Sequence, residues 1–163
     1  MTAAPDGHPR PVSEKSLQAT RVVDAPPDKV FALLTTPDRH VDLDASGTVL
    51  GTRTHQPLHG VGDVFVMEMH GKDMGDYLVD NHVVAFEKDR EIGWAPATHG
   101  GDRGGQVWTY QLEPCNGGGC TRVTHVYDWS GVTLERLLPY LPVVDAHGLA
   151  ATLERLVKFV EPE

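Results

Sequence analysis

The chain has 163 residues, a length that fits one domain with a hydrophobic core large enough to need no metal or disulfide for support. Its 23 acidic residues outnumber its 14 basic residues, so the formal net charge is -9. This charge disfavours binding to nucleic acid, whose phosphates require a basic face, and it disfavours an anionic membrane surface. All apolar runs are shorter than the roughly 18 residues that a bilayer-spanning helix needs.

The first part of the chain, Met1 to Ser16, contains three prolines and no apolar segment. It therefore does not resemble a signal peptide, and we expect the protein in the cytoplasm. The small, polar and proline-rich composition predicts a disordered tail over 1–16, followed by a folded domain over 17–161.

The folded region begins with a strand and short helices. The stretch 17–24 is rich in β-branched residues and predicts the first strand. The prolines that follow it suit the first turn of a helix, which ends before Pro37. A second short segment, helical or loop, is expected over 38–44.

Six further strands are predicted where short apolar runs are separated by turn residues. They cover 48–54, 64–70, 77–87, 91–96, 106–113 and 121–130. The last two flank a strong turn sequence, Asn116-Gly117-Gly118-Gly119, which predicts a hairpin. Consecutive strands joined by tight turns imply an antiparallel sheet.

The two cysteines, Cys115 and Cys120, flank this turn. A disulfide across the hairpin is geometrically conceivable, but a chain without an export signal favours two reduced thiols. Two thiols alone do not make a four-ligand zinc site, and we expect no metal centre. No phosphate-binding loop or nucleophile elbow is present in the sequence, and we expect no cofactor.

The chain closes with a helix over 144–161. Four apolar residues follow one another at steps of four, three and four: Leu149, Leu153, Leu156 and Val160. This spacing makes one helical stripe, which would cover one face of the sheet. One or two further helical turns are expected at 134–138, before Pro139 and Pro142 interrupt the chain.

Several stretches, in this order and spacing, resemble the START-like (SRPBCC) superfamily and its bacterial polyketide cyclase/dehydrase subgroup. They are VVDAPPDKVFALL at 22–34, EIGWAP at 91–96, WTYQLEP at 108–114 and GCTRVT at 119–124. The resemblance covers about residues 17 to 161. It implies an α+β helix-grip fold, in which a curved antiparallel sheet of about seven strands is wrapped around a long C-terminal helix, with one or two short helices after the first strand.

The resemblance implies a container more than one particular chemistry. Relatives include lipid-transfer domains, plant hormone receptors, aromatic polyketide cyclases and co-chaperones. We therefore expect the protein to bind or carry a small hydrophobic or aromatic molecule, such as a lipid or a polyketide, in an internal cavity. The alternatives are a cyclase/dehydratase-type enzyme and a protein-interaction module whose groove meets another protein.

Strand alternation predicts which side chains line the cavity. One face of 64–70 carries a phenylalanine and two methionines, which suit an irregular ligand but are explained equally well by core filling. The two hairpin strands each carry an aromatic-rich face, and these faces should lie on the same side of the sheet. The candidate ligand-binding residues are Phe65, Met67, Met69, Trp94, Trp108, Tyr110, His125, Tyr127 and Leu153.

Three polar residues are candidates for acid/base chemistry. His125, on the aromatic-rich face, either orients or deprotonates a ligand or is a structural core histidine. Asp80 and His82 share a face of 77–87 and would form a base-and-orienter pair if that face pointed inward. Both faces of that strand are apolar, so alternation does not decide between this role and surface exposure. The glycine-rich stretch 99–105 is expected to be a mobile loop and an entrance lid.

A container function has a geometric requirement. The aromatic faces should meet the terminal helix across an enclosed space of ~300–1,000 Å³, which is large enough for a metabolite. A filled core in this place would favour the interaction module instead.

Overall fold

The computed structural model describes residues 10–162. The strands are β1 (Arg10–Ser13), β2 (Ser16–Val23), β3 (Val49–Thr52), β4 (Val64–Gly71), β5 (Gly75–Glu87), β6 (Glu91–Thr98), β7 (Val107–Cys115) and β8 (Cys120–Asp128). The α-helices are α1 (Pro27–Leu34), α2 (His40–Leu43) and α3 (Ala146–Val160), and single 3₁₀ turns occupy Pro37–Arg39, Asn116–Gly118 and Leu138–Tyr140. None of these helices is long and apolar enough to cross a membrane.

All the strands belong to one antiparallel sheet with the order β1-β2-β8-β7-β6-β5-β4-β3. Neighbours in the sheet are also neighbours in the chain except at one place, where β2 pairs with β8. The helix α3 packs mainly against β2 and β8 of the sheet and against α1 and α2. This arrangement confirms the predicted α+β helix-grip fold, with a curved sheet and a C-terminal helix.

The position of α3 is determined at both of its ends and along its buried face. At its start, the carboxylate of Asp145 accepts a hydrogen bond from the backbone N–H of Gly148 at 2.8 Å, which caps the helix. Its stripe of three leucines, Leu149, Leu153 and Leu156, is buried. After its last turn, the Glu161 carboxylate accepts from the backbone N–H of Asp24 at 2.8 Å, next to the end of β2.

The range 1–16, which the composition predicts as a disordered tail, contains a strand. β1 pairs with the beginning of β2, with Arg10 opposite Gln18 and Ser13 opposite Ser16, and Ser16 itself is buried. Pro11 has no backbone N–H to donate, and an edge strand tolerates this because one of its sides has no partner strand. A proline-rich stretch can therefore still pair at the edge of a sheet. Residues 1–9 lie outside the described residues, and for them the tail stays a prediction.

Residues 131–145, which make up most of the connection from β8 to α3, are called the strap. Where helical turns were expected at 134–138, the strap has hydrogen-bonded turns and then the 3₁₀ turn at 138–140. Pro139 and Pro142 remove the backbone donors that a continuous helix would need. Four of its apolar side chains are exposed to solvent: Leu134, Leu138, Tyr140 and Val143.

Cys115 and Cys120 are joined by a disulfide, so the expectation of two reduced thiols is wrong. The 3₁₀ turn at Asn116–Gly118 places the two residues directly opposite each other at the end of the β7–β8 hairpin. Their Cα atoms are 5.0 Å apart, within the span that a disulfide bridges. The expectation rested on the cellular compartment, whereas the pairing follows from strand register.

Leu153→Ala tests the contact between α3 and the sheet. Leu153 is 1% exposed at the middle of the buried stripe, and its truncation should lower the free energy of unfolding by about 2–5 kcal/mol. Urea denaturation measures this loss. Leu134→Ala, at an exposed position of the strap, should stay within about 0.5 kcal/mol of the wild type. An unchanged midpoint for Leu153→Ala would show that α3 does not cover the sheet at this point.

Candidate functional site

The register of β7 with β8 builds a wall of stacked rings on the concave face of the sheet. Trp108 lies opposite Tyr127, and Tyr110 lies opposite His125. In each pair the ring centroids are 4.0 Å apart, with interplanar angles of 19° and 8° respectively. Trp108 is also 5.9 Å from His125, so the four rings form one continuous stack, which we call the aromatic wall.

The wall continues across β6 to β4. Trp94 lies 5.7 Å from Tyr110 on one side and 5.4 Å from Phe65 on the other. His40, on α2, packs on both Trp94 and Phe65 with centroid distances of 5.1 Å. Sequence reasoning did not include His40, because its short polar helix carries no pattern that points to the core.

The inward face of β5 is now defined by its register with β4. Phe65, Met67 and Met69 lie opposite Asn81, Val79 and Tyr77 respectively. The inward residues of β5 are therefore Tyr77, Val79, Asn81 and Val83. A bulge follows Val83 and changes the alternation, so that Phe86 also points inward and meets Phe31 at 5.2 Å.

Asp80 and His82 lie on the opposite, convex face of β5. The Asp80 carboxylate accepts hydrogen bonds from His99 Nδ1 at 2.7 Å and from the Gly100 backbone N–H at 2.8 Å. These two donors, the backbone amide first, lower the pKa of Asp80. The carboxylate therefore anchors the loop after β6, and the structure does not bring Asp80 and His82 together as a pair on the concave face.

That loop and the strap meet beside the aromatic wall. The Tyr127 hydroxyl donates to Gln106 Oε1 and accepts from the Val143 backbone N–H at 3.3 Å, so one side chain links both segments. Gly105 has a φ of +102°, and a Cβ atom there would collide with the carbonyl group of Gly131. Only glycine at position 105 allows the two backbones to approach this closely.

The sequence predicts an enclosed space of ~300–1,000 Å³ in front of the aromatic wall, and the grooves of the structure do not match it. Tyr110, His125 and Tyr127 are buried against one another and their neighbours, with their rings stacked across the strands. Trp94 and Trp108 face inward but are only half-buried. The structure has open grooves of about 400 and 530 Å³, between α1 and α3 and beside the β5–β6 turn, and neither touches the aromatic wall.

His125 has the geometry of a structural core histidine. Its ring is buried, and its Nδ1–H donates to the backbone carbonyl of Thr109 at 3.2 Å. Burial lowers the pKa of His125 to about 4, so the imidazole is neutral at physiological pH. The pKa of His40 is also lowered by burial, and its Nε2–H donates to the Leu34 carbonyl at 2.7 Å.

His125 should make the stability of the protein sensitive to acid. The unfolded chain takes up a proton near its ordinary pKa of 6.5, whereas the folded protein does so only near 4. The stabilising contribution of neutral His125 is therefore complete above pH 6.5 and is lost as the pH falls toward 4, by up to about 3 kcal/mol.

His125→Phe keeps a stacked ring but cannot titrate, so its unfolding free energy should fall less than that of the wild type between pH 6.5 and pH 4. Urea denaturation across this range measures the difference. His147→Gln, which removes an exposed histidine of α3, is the matched control. Equal slopes for the wild type and His125→Phe would contradict a buried, neutral His125.

The fold is similar to several solved structures of low sequence identity. A protein from Chromobacterium violaceum is 20% identical, with a TM-score of 0.67 over 91% of this chain and 99% of that chain. A protein from Mycobacterium smegmatis is 14% identical, with a TM-score of 0.66 over 95% and 98% of the two chains. A protein from Arthrobacter aurescens is 19% identical, with a TM-score of 0.66 over 91% and 87%. At these identities the likeness shows the fold alone.

A comparison with curated proteins gave no match. A family profile, however, matches residues 24–161, from the end of β2 to the end of α3. The family is described as Activator of Hsp90 ATPase homolog 1-like protein. Since the match covers far more than half of the sequence and agrees with the helix-grip architecture, the chain belongs to this family of the START-like superfamily.

Proposed function

We propose that the protein binds a small hydrophobic or aromatic molecule on the concave face of the sheet, between the aromatic wall and the strap. The observation that carries this proposal is the half-burial of Trp94 and Trp108. Both indoles are on the inward face, and yet part of their apolar surface is left uncovered. An apolar ligand that covers this surface gains about 25 cal/mol for each Å² removed from water.

The side chains around these indoles suit a flat apolar ligand. Trp94 and Trp108 offer aromatic faces, on which an aromatic ring stacks favourably. Met69 is half-buried on the same side of the sheet and adapts to irregular shapes. Membership of the START-like superfamily supports the same class of ligand.

The strap is the element that would open the site. It has little regular structure, and Val143 attaches it to the wall through one backbone hydrogen bond to the Tyr127 hydroxyl. An adjacent residue, Val144, is half-buried against the core. Displacement of the strap would break this bond and release the hydroxyl of Tyr127, on whose ring Trp108 stacks.

A cyclase or dehydratase activity has less support from the site. His125 is neutral, but its low pKa makes it a weak base, and its ring is covered by Tyr110. Asp80 is hydrogen-bonded to His99 on the convex face, away from the proposed ligand. The concave face therefore favours binding over acid/base chemistry.

Trp108→Leu tests the binding site. The substitution keeps an apolar side chain but removes the aromatic face, so the affinity for a neutral apolar dye such as Nile red should fall about tenfold. A fluorescence titration of the full chain measures the affinity, and circular dichroism verifies the fold. Phe159→Leu makes the same chemical change in the groove between α1 and α3 and should leave the dye affinity unchanged.

Equal affinities for Trp108→Leu and the wild type would place the dye elsewhere and would overturn the proposal. Native mass spectrometry of the purified protein, followed by organic extraction, would identify a bound molecule directly. A natural ligand recovered from the wild type should be depleted from Trp108→Leu.

A second candidate function is the binding of another protein through the strap. Tyr140 is 74% exposed, and three further apolar side chains of the strap are exposed beside it in the sequence. Exposed apolar side chains grouped on one segment are typical of interaction surfaces. This candidate needs no internal space, which agrees with the dense packing of Tyr110, His125 and Tyr127.

Site-specific photo-crosslinking distinguishes this candidate. A photo-reactive amino acid at position 140 should give a discrete protein adduct in cells, whereas the same group at position 50 should not. Leu50 is a suitable control because it is also exposed, on the edge strand β3. Leu138→Ser should reduce the adduct at position 140. Identical adduct patterns at the two positions would contradict a specific role for the strap.

A further inference from the structure

A separate groove of about 400 Å³ lies between α1 and the end of α3. It is lined by Lys29, Ala32, Leu33, Thr36, Arg39, Phe159 and Val160. None of these residues belongs to the aromatic wall or to the strap. The groove is open to solvent, and its size suits a small organic molecule.

Three cationic groups surround the Phe159 ring. The Cζ atoms of Arg39 and Arg155 lie 5.9 and 5.4 Å from the ring centroid, and the Nζ atom of Lys158 lies 5.6 Å from it. Arg39 and a fourth cation, Lys29, line the groove itself, whereas Arg155 and Lys158 flank it through their contact with the Phe159 ring. Each cation is attracted to the ring, but the cations repel one another. In a protein with a net charge of -9, such a concentration of positive charge is distinctive.

Little of this charge is neutralised within the described residues. Asp42 forms an ion pair with Arg39 at 2.7 Å, and its backbone carbonyl accepts from Arg155 Nε at 2.6 Å. The Glu161 carboxylate is engaged by the backbone N–H of Asp24. Among the ion pairs that residues 10–162 form, none includes Lys29 or Lys158, and both side chains are exposed.

We propose that this groove is a second ligand site, which binds a small organic anion: a phosphate monoester or a carboxylate on an aromatic or apolar body. The acidic group would accept charge-assisted hydrogen bonds from the ammonium groups of Lys29 and Lys158 and from the guanidinium of Arg39. The body would lie on the Phe159 ring and on Ala32, whose exposed methyl group leaves room for it. Binding an anion also relieves the repulsion among the cations.

The chemistry of the lining separates this site from the concave face of the sheet. The proposed site on the concave face uses uncharged indoles, and a neutral ligand suits it. In the groove, an apolar patch is bordered by cations, and a neutral ligand would leave those cations uncompensated. A neutral apolar ligand therefore reports on the concave face, and an organic anion reports on the groove.

The experiment is isothermal titration calorimetry on the full chain with phenyl phosphate, inorganic phosphate and benzyl alcohol. We expect phenyl phosphate to bind more tightly than inorganic phosphate, which lacks the aromatic body, and than benzyl alcohol, which lacks the charge. The double variant Lys29→Gln with Lys158→Gln should weaken phenyl phosphate about tenfold, as expected for the loss of charged hydrogen-bond donors. Phe159→Leu should weaken phenyl phosphate but leave inorganic phosphate unchanged.

A matched control removes the same amount of charge elsewhere. Lys72→Gln with Lys88→Gln changes two exposed lysines at the β4–β5 and β5–β6 turns and should leave phenyl phosphate affinity unchanged. Equal losses of phenyl phosphate affinity in the two double variants would show that only the net charge of the protein matters, and would overturn the proposal. Absence of phenyl phosphate binding, or binding only of phosphatidylserine vesicles or of an acidic peptide, would also overturn it. Nile red binding should be unaffected in both double variants, so this proposal and the first can fail independently.

Discussion

The register between β7 and β8 is the constraint on which the interior depends. Because side chains alternate between the faces of a strand, a slip of β7 by one residue would turn Trp108 and Tyr110 to the convex face, while His125 and Tyr127 stayed on the concave face. It would bring Thr109 inward instead, and Thr109 could not stack on Trp94. The disulfide between Cys115 and Cys120 joins a pair in the same register, and so it holds the hairpin in the alignment that buries the rings.

Three of the polar rings in the interior, those of His125, His40 and Tyr127, have local hydrogen-bond partners. His125 and His40 donate to backbone carbonyls, and the Tyr127 hydroxyl both donates and accepts. Burial of each of these groups without a partner would cost about 1–3 kcal/mol. No buried side-chain nitrogen or oxygen among the described residues lacks a partner. The wall can therefore be aromatic and polar at once, and positive charge is concentrated outside it, around Phe159.

Local patterns in the sequence were sufficient for most elements. Tight turns separated the strands, and the spacing of Leu149, Leu153 and Leu156 predicted α3 and its buried side. The alternation in β4 also placed Phe65, Met67 and Met69 on the concave face, as the structure has them. These properties depend on residues that are close in sequence, and periodicity reports them directly.

Other properties depend on contacts between distant segments. The face of β5 was ambiguous because the bulge after Val83 changes the phase of alternation within a single strand. His40 reaches the core only because α2 is folded over β4 and β6. The hydrogen-bond partner of Asp80 is His99, which follows the end of another strand, β6. Whether a wall of rings leaves a space in front of it is decided by packing in three dimensions, about which strand parity says nothing.

The pairing of β2 with β8 has a consequence for biosynthesis. Thr20 and Thr124, which contact each other across this pair, are 104 positions apart in the chain. At a translation rate of about 5–20 residues per second, β2 waits roughly 5–20 s before its partner has been made. During that interval the edge of β2 that will pair with β8 has no partner strand, and the residues of β2 that α3 will cover are exposed to solvent. Until β8 and α3 have been made, the nascent chain therefore exposes apolar surface, and non-local pairing of this kind also makes refolding slow compared with helical proteins of the same size.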